Sequence, residues 1–201
     1  MEFQDDPFDE SKLVDLETQL IKPEKIDAND ARKILRIYAM NGVWKLDIVK
    51  RILVAGIVSL PATDFISYAA LIPLSQKHEY EPFFTLYDDL LSGKLKSFWS
   101  NARSQKIAKF APPRAIDNYR EYILGITALS QTTIPKNTLA IALGYEDSHG
   151  INQSFDNYLK SKGIKAVGLQ AEDDEHTLLD ISMQKSHFTN LKHKTGDQKS
   201  D

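Results

Sequence analysis

Few residues in this sequence are of a type and spacing that would support catalysis or metal binding. The five histidines are scattered, and none stands in a metal-binding spacing such as His-Glu-x-x-His. The chain has no cysteine, which excludes thiolate ligands, cysteine nucleophiles and disulfides. No phosphate-binding glycine loop and no serine-hydrolase motif occurs. We therefore expect no catalytic residue, no cofactor and no metal, and a protein that is not an enzyme.

Asp88 and Asp89 form an acidic pair on a predicted helix and could suggest general acid–base chemistry. Adjacent residues on a helix point about 100° apart, so these two carboxylates cannot share a proton. We expect both to lie on a solvated face, opposite Phe84, Leu90 and Leu91.

The composition is that of a folded, soluble protein. Of 201 residues, 42% are hydrophobic and 26% charged, with a formal net charge of -3. That charge argues against a surface that is basic throughout, although local basic patches are compatible with it. The first residues lack the basic and apolar regions of a signal peptide, and the longest apolar run, 52–60, is too short to span a bilayer. We expect a cytoplasmic protein with no membrane segment.

An apolar period of 3.6 residues dominates residues 11–130 and predicts a series of short helices. Local signals set the helix ends: Asp27 or Asn29 caps the second helix, and Gly42 ends it. Pro73 is expected to kink or end the fourth. Short helices joined by short turns are typical of helical-repeat domains.

The apolar stripes also predict the core. A wide-faced helix at about 46–60, with Leu46 in its stripe, is expected to be central, and a helix at about 80–91 is expected to bury Leu91. The residues expected to join the last helices of this region as core are Phe84, Leu90, Phe98 and Trp99.

The pattern changes after Thr132. A short extended segment at 132–135 is followed by a short helix, a second helix from Asp147 or Ser148 to Lys162, and two apolar runs that predict a hairpin. This order of elements is that of a winged helix. We therefore predict a mainly α fold, in which a HEAT-like helical-repeat domain precedes a winged-helix domain. The predicted organisation is an acidic tail at 1–10, the helical-repeat domain at 11–110, the linking helix and winged helix at 111–182, and a basic tail at 183–201.

The predicted winged helix is expected to bind protein rather than a nucleic-acid duplex. Its long helix has two lysines, Lys160 and Lys162, both near its end. Four consecutive acids at 172–175, at the hairpin tip, would repel a phosphate backbone. The acidic tip favours a basic protein patch instead.

The hairpin, over 164–170 and 177–181, is the expected docking site. The edge N–H and C=O groups of such strands pair with a partner strand unless they are protected, and no proline protects these. The residues expected to bind a partner are Tyr158, Lys162, Lys165, Val167, Leu169, Leu178 and Ile181.

Several short motifs, in this order and spacing, resemble the PCI family. They are Leu-Pro-Ala-Thr-Asp-Phe at Leu60–Phe65, Leu-Tyr-Asp-Asp-Leu-Leu at Leu86–Leu91, Phe-Trp at Phe98–Trp99 and Leu-Gly-Ile-Thr at Leu124–Thr127. PCI proteins build the proteasome lid, the COP9 signalosome and eukaryotic translation initiation factor 3. The similarity spans roughly residues 13–181 and is strongest to the family of k subunits of that factor.

The resemblance implies a non-catalytic scaffold subunit of translation initiation factor 3. Such a subunit would bind other subunits of the factor, especially the l subunit, and support its assembly on the small ribosomal subunit, with at most a weak RNA contact. Two alternatives stay open. The first is an equivalent small subunit of the proteasome lid or the COP9 signalosome. The second is a free-standing winged-helix protein that binds nucleic acid.

Overall fold

The computed structural model describes residues 10–21, 27–59, 63–112, 114–147, 150–151, 154–167, 177–182 and 184. Within these residues the protein is mainly helical, with a small three-stranded sheet. The boundary between two compact units falls between Tyr119 and Arg120. The predicted acidic tip at 172–175 and almost all of both predicted tails lie outside the described residues.

The described part of the first unit is built from helices. They are α1 (Glu10–Ile21), α2 (Ala28–Asn41), α3 (Leu46–Val58), α4 (Asp64–Leu71), α5 (Leu74–Lys77), α6 (Glu81–Leu91) and α7 (Leu95–Ser104), with 3-10 turns at His78–Tyr80 and Ile107–Lys109. Among the described residues up to 112 no strand occurs, so the helical prediction for this region is confirmed there.

The predicted local signals end these helices as expected. The Asp27 carboxylate caps α2 by accepting from the backbone N–H groups of Asn29 at 2.8 Å and Asp30 at 3.1 Å. At the other end Gly42 adopts a φ of 68°, and its N–H donates to the carbonyl of Tyr38. Pro73 follows the end of α4 and begins α5. These predictions are confirmed.

Helix α3 is central to the first unit, as its wide apolar face predicted, because it packs against α1, α4 and α6. Val49, Ile52 and Leu53 are completely buried. Gly56 permits the close approach of α4, since a Cβ atom there would lie 2.9 Å from the Cα of Phe65.

Four core predictions for this unit need correction. Leu91 is 63% exposed and Leu46 is 41% exposed, because each is the terminal residue of its helix and points away from the packed face. Phe84 is only partly buried, with its ring edge-on to Phe65 at 6.0 Å between centroids. Asp89 is not on a solvated face: it is 8% exposed. Leu90, Phe98 and Trp99 are buried, as predicted.

The second unit contains most of α8 and all of the strands that the structure describes. Its elements are α8 (Ala115–Ser130, which crosses the unit boundary), β1 (Thr133–Pro135), α9 (Lys136–Ala142), β2 (Glu146–Asp147), β3 (Gly150–Ile151), α10 (Ser154–Ser161), β4 (Lys165–Val167) and β5 (Leu178–Asp180). Strands β1, β5 and β4 form an antiparallel sheet in that order, while β2 pairs with β3. The predicted extended segment and the two hairpin strands are therefore confirmed.

Two details of this unit differ from the predictions. The helix expected from Asp147 or Ser148 begins at Ser154, because Glu146–Asp147 pairs with Gly150–Ile151 instead of entering a helix. The hairpin of β4 and β5 also does not stand alone, since β1 pairs along the other side of β5. Strand β5 therefore has both of its edges occupied, and only β4 and β1 lie at the rim of the sheet.

Candidate protein-docking surface

The strand register sorts the sheet residues onto two faces. Directly opposed residues of antiparallel strands project to the same side, and successive residues alternate. Ile134 and Leu179, which pair with each other, are buried at 2% and 3% exposure. They line the inner face, against the helices of this unit.

The outer face carries one apolar row and one polar row. The apolar row crosses all three strands through Pro135, Leu178 and Val167, which are paired in register. Leu178 is 41% exposed and Val167 is 44% exposed, and Pro135 is exposed as well. Thr133, Asp180 and Lys165 form the neighbouring polar row. We call this set of six residues the outer sheet face.

Strand β4 is the most accessible strand of this sheet. All three of its residues are exposed, including Ala166, although Ala166 pairs with the buried Leu179. Because β4 is the last strand in the order, no strand among the described residues pairs along its outer edge. Its backbone groups on that side are available to a partner strand.

Asp180 supplies the negative charge of the polar row. Hydrogen bonds from the side chain and then the backbone N–H of Ser182 lower the pKa of Asp180 below its ordinary value. The carboxylate is thus ionised at neutral pH, opposite Lys165 across the strand pair. The row therefore presents one acid and one base, which suits a protein surface better than a polyanion.

Aromatic and charged side chains from α8, α10 and the residues next to them form a cluster. The Lys162 ammonium donates to the Glu121 carboxylate at 2.5 Å and lies 5.8 Å from the ring centroid of Tyr158. The Tyr158 ring packs on Tyr145, with 5.4 Å between centroids. The guanidinium of Arg120 stacks over Tyr145 at 4.3 Å. These contacts fix the side chains of Tyr158 and Lys162 before any partner binds.

The seven predicted docking residues thus have different positions. Lys165, Val167 and Leu178 share the outer sheet face. Tyr158 and Lys162 are half-buried within the cluster on α10. Ile181 is completely buried and supports the sheet from within, and Leu169 lies outside the described residues.

The sequence did not indicate that β1 belongs to the outer sheet face. Nor did it indicate that α8 contributes to the cluster around Tyr158. Thr133 and Pro135 are exposed on either side of the buried Ile134, and this short alternation was the available signal. Arg120 and Glu121 gave no signal, because their partners are more than twenty residues away in the sequence.

The exposed face of α10 carries little net charge. Asp156 and Lys160 are both exposed, and Lys136 forms an ion pair with Asp156 at 3.1 Å. Because Lys162 is engaged by Glu121, the helix presents no continuous basic stripe to a phosphate backbone. This favours protein over duplex binding at this surface.

The buried acids of the first unit bind their neighbours. Asp89 accepts from the Ser97 hydroxyl at 2.7 Å and from the Asn101 amide at 2.9 Å. Glu17 accepts from the Tyr38 hydroxyl and from the Lys45 ammonium, each at 2.5 Å. Both acids therefore join helices within the first unit.

No protein-family model matches the chain. In the part of the chain that the structure describes, no three acidic or histidine side chains are grouped to hold a metal ion. None of its helices there combines the length and the apolar character needed to cross a membrane.

Proposed function

We propose that this chain is a PCI-type scaffold subunit, with α1–α7 forming a HEAT-like helical-repeat domain and α8–β5 a winged helix. The order of elements supports the second assignment: helix, strand, helix, helix, strand, strand, with the first strand beside the last. The extra pair β2–β3 stands between the two inner helices of that pattern. The stacked helices of the first unit support the first assignment.

Within this class, the chain is proposed to be the k subunit of eukaryotic translation initiation factor 3. The motifs at 60–65, 86–91 and 98–99 support this assignment through their resemblance to that family. The subunit acts without catalysis, in the cytoplasm. It binds other subunits of the factor, notably the l subunit, and supports assembly of the factor on the small ribosomal subunit.

The observation that carries the docking role is the exposed rim of the three-stranded sheet. Strand β4 is exposed on both faces, and the apolar row of Val167, Leu178 and Pro135 begins on it and crosses the sheet. A partner strand added to β4 would gain backbone hydrogen bonds, and its own side chains would extend the apolar row beyond Val167. In the neighbouring cluster, Lys162 and Tyr158 already contact Glu121 and Tyr145, which lowers the entropic cost of ordering them on binding.

Affinity purification from a cytosolic extract tests the assignment. The tagged chain is expressed at a low level, and the proteins that co-purify are identified by mass spectrometry. The proposal expects the subunits of translation initiation factor 3, with the l subunit the most resistant to a high-salt wash. Recovery of proteasome-lid or signalosome subunits instead would assign the chain to that assembly. Recovery of nucleic acid alone would contradict the scaffold role.

A further inference from the structure

One segment of the first unit is strongly basic, although the chain as a whole is acidic. Between Asp89 and Asp117 there are six lysines and arginines and no acid, whereas the chain as a whole has 28 acids against 25 lysines and arginines. All six side chains are exposed. They are Lys94, Lys96, Arg103, Lys106, Lys109 and Arg114, and we call them the basic cluster.

Five cations elsewhere in the described chain are neutralised by an acid: ion pairs join Arg32 to Asp64, Lys33 to Asp30, Lys45 to Glu17, Lys136 to Asp156 and Lys162 to Glu121. Arg103, Lys106, Lys109 and Arg114 form no ion pair with any described residue, as is also true of Arg36, Lys160 and Lys165. What distinguishes the first four is that no acid lies between residues 90 and 116. The positive charge of this segment is thus left without an acid of its own to compensate it, which is the electrostatic footprint of a polyanion-binding surface.

Folding explains part of this pattern, since Arg103 lies in the last turn of α7, where a cation suits the macrodipole. It does not explain Lys94, the positive φ of Lys106, or Arg114. Lys106 and Arg114 have φ angles of 52° and 60°, and they are the residues other than glycine with positive φ in the described chain. That conformation is strained for a side chain with a Cβ atom. Lys94 stands at the N-cap of α7 and Arg114 immediately before α8, and a cation near a helix N-terminus opposes the macrodipole. Glycine, asparagine or aspartate would suit these positions better.

The fold places some of these cations near one another. Lys96 and Arg103 are seven residues apart on α7, so they lie on the same side of that helix about 10 Å apart. The Lys109 ammonium lies 5.8 Å from the ring centroid of Phe110, and the Lys50 ammonium, contributed by α3, lies 5.9 Å from the same centroid. A second helix, α3, therefore adds positive charge beside Lys109.

We propose that the basic cluster binds the phosphate backbone of RNA, without reading the bases. Exposed cations provide the charge for phosphate contacts. Base stacking would need an exposed ring, but the neighbouring Phe110 and Trp99 are buried at 9% and 4% exposure. This activity is distinct from the docking role of the outer sheet face and does not depend on membership of any complex.

Fluorescence anisotropy of the purified chain with a labelled, mixed-sequence, single-stranded RNA of twenty nucleotides tests the proposal. If all six cations contact phosphates, log affinity should fall against log salt with a slope of about -4, a loss of about 300-fold between 50 and 200 mM salt. The triple variant Arg103→Gln, Lys106→Gln, Arg114→Gln should bind about 100-fold more weakly at 100 mM salt, with a slope near -2.

The matched control removes the same charge from other exposed positions, Arg36→Gln, Lys160→Gln and Lys165→Gln. It should bind RNA within about threefold of wild type, because it removes no phosphate contact. The Lys106→Gly variant distinguishes a role of Lys106 in RNA binding from a role in folding. Its affinity for RNA should fall about fivefold, because one phosphate contact is lost. The melting temperature should not fall, since glycine adopts a positive φ without strain.

Three results would overturn the proposal. The first is no RNA binding at 50 mM salt with 100 µM protein. The second is an equal loss in the control and the triple variant. The third is tighter binding of a polyglutamate peptide than of RNA, which would assign the cluster to an acidic protein. Equal binding of RNA and of DNA of the same sequence would support backbone recognition, whereas binding of DNA alone would contradict it.

Discussion

Replacing Trp99 with alanine tests how the first unit is held together. The indole is 4% exposed and packs on Phe98 and Tyr119, with 5.0 and 5.8 Å between ring centroids. Phe98 and Tyr119 are themselves 5.4 Å apart, so the three rings form one cluster. Trp99→Ala removes two of these three contacts and leaves a cavity. We expect a loss of about 3–5 kcal/mol in the free energy of unfolding. Trp99→Phe, which keeps one ring, should lose about 1–2 kcal/mol.

Urea unfolding followed by circular dichroism and by the fluorescence of Trp44 measures this loss. Trp44 is the other of the two tryptophans and belongs to the same unit, so it reports on that unit after Trp99 is removed. Leu91→Ala is the control: it changes an apolar residue that is 63% exposed and should cost less than about 0.5 kcal/mol. A loss below about 1 kcal/mol for Trp99→Ala, or a larger loss for Leu91→Ala, would refute this packing.

Three further substitutions test other features of the same unit by urea unfolding. Gly56→Ala should destabilise by at least about 1 kcal/mol, because the new Cβ would lie 2.9 Å from the Phe65 Cα, although alanine is the better helix former. Asp89→Ala should cost about 1.5–3 kcal/mol, because it removes the carboxylate that accepts two hydrogen bonds, from Ser97 and Asn101. Burial raises the pKa of Tyr80 from 10.0 to about 12, so folding favours the protonated phenol. The contribution of the Tyr80 phenol to the free energy of unfolding is complete below pH 10 and is lost as pH rises towards 12. The Tyr80→Phe variant should therefore lose less stability than the wild type over this pH range.

Each of these expectations has a clear contrary result. A more stable Gly56→Ala variant would mean that α3 and α4 are not in close contact at that point. A neutral Asp89→Ala would place the carboxylate in solvent. Equal stability profiles between pH 9 and 11.5 for Tyr80→Phe and the wild type would mean that this phenol ionises as freely in the folded state as in the unfolded state.

The features predicted correctly from the sequence depend on local physical chemistry. An Asp27 side chain can cap a helix using N–H groups two and three residues away, and Gly42 can reverse the chain by its own φ angle. The end of α4 before Pro73 likewise needs no distant contact. These signals located the helices of the first unit within a few residues.

Burial at helix ends and the partners of charged residues could not be predicted in this way. The apolar period placed Leu91 in the core, but it is the last residue of α6 and the described helices leave it 63% exposed. Asp89 looked like a surface acid because its partners, Ser97 and Asn101, are on the next helix. Glu17 is buried by a tyrosine 21 residues away.

The candidate docking surface was predicted in part. The two apolar runs correctly indicated paired strands, and they include Lys165, Val167 and Leu178. The sequence did not show that β1 would complete the apolar row or that Ile181 would be buried, because both depend on which strand lies beside β5. Strands of three residues carry too short an alternation to specify their neighbours.

Binding of the purified l subunit of translation initiation factor 3 is the most direct test of the proposed role. We predict that Val167→Lys with Leu178→Lys abolishes binding in an affinity measurement, while circular dichroism shows an intact fold. The matched control is Ile66→Lys with Leu91→Lys, at sites 55% and 63% exposed in the first unit, and it should bind as wild type. Wild-type affinity in the first variant, or loss in the control alone, would contradict docking through the outer sheet face.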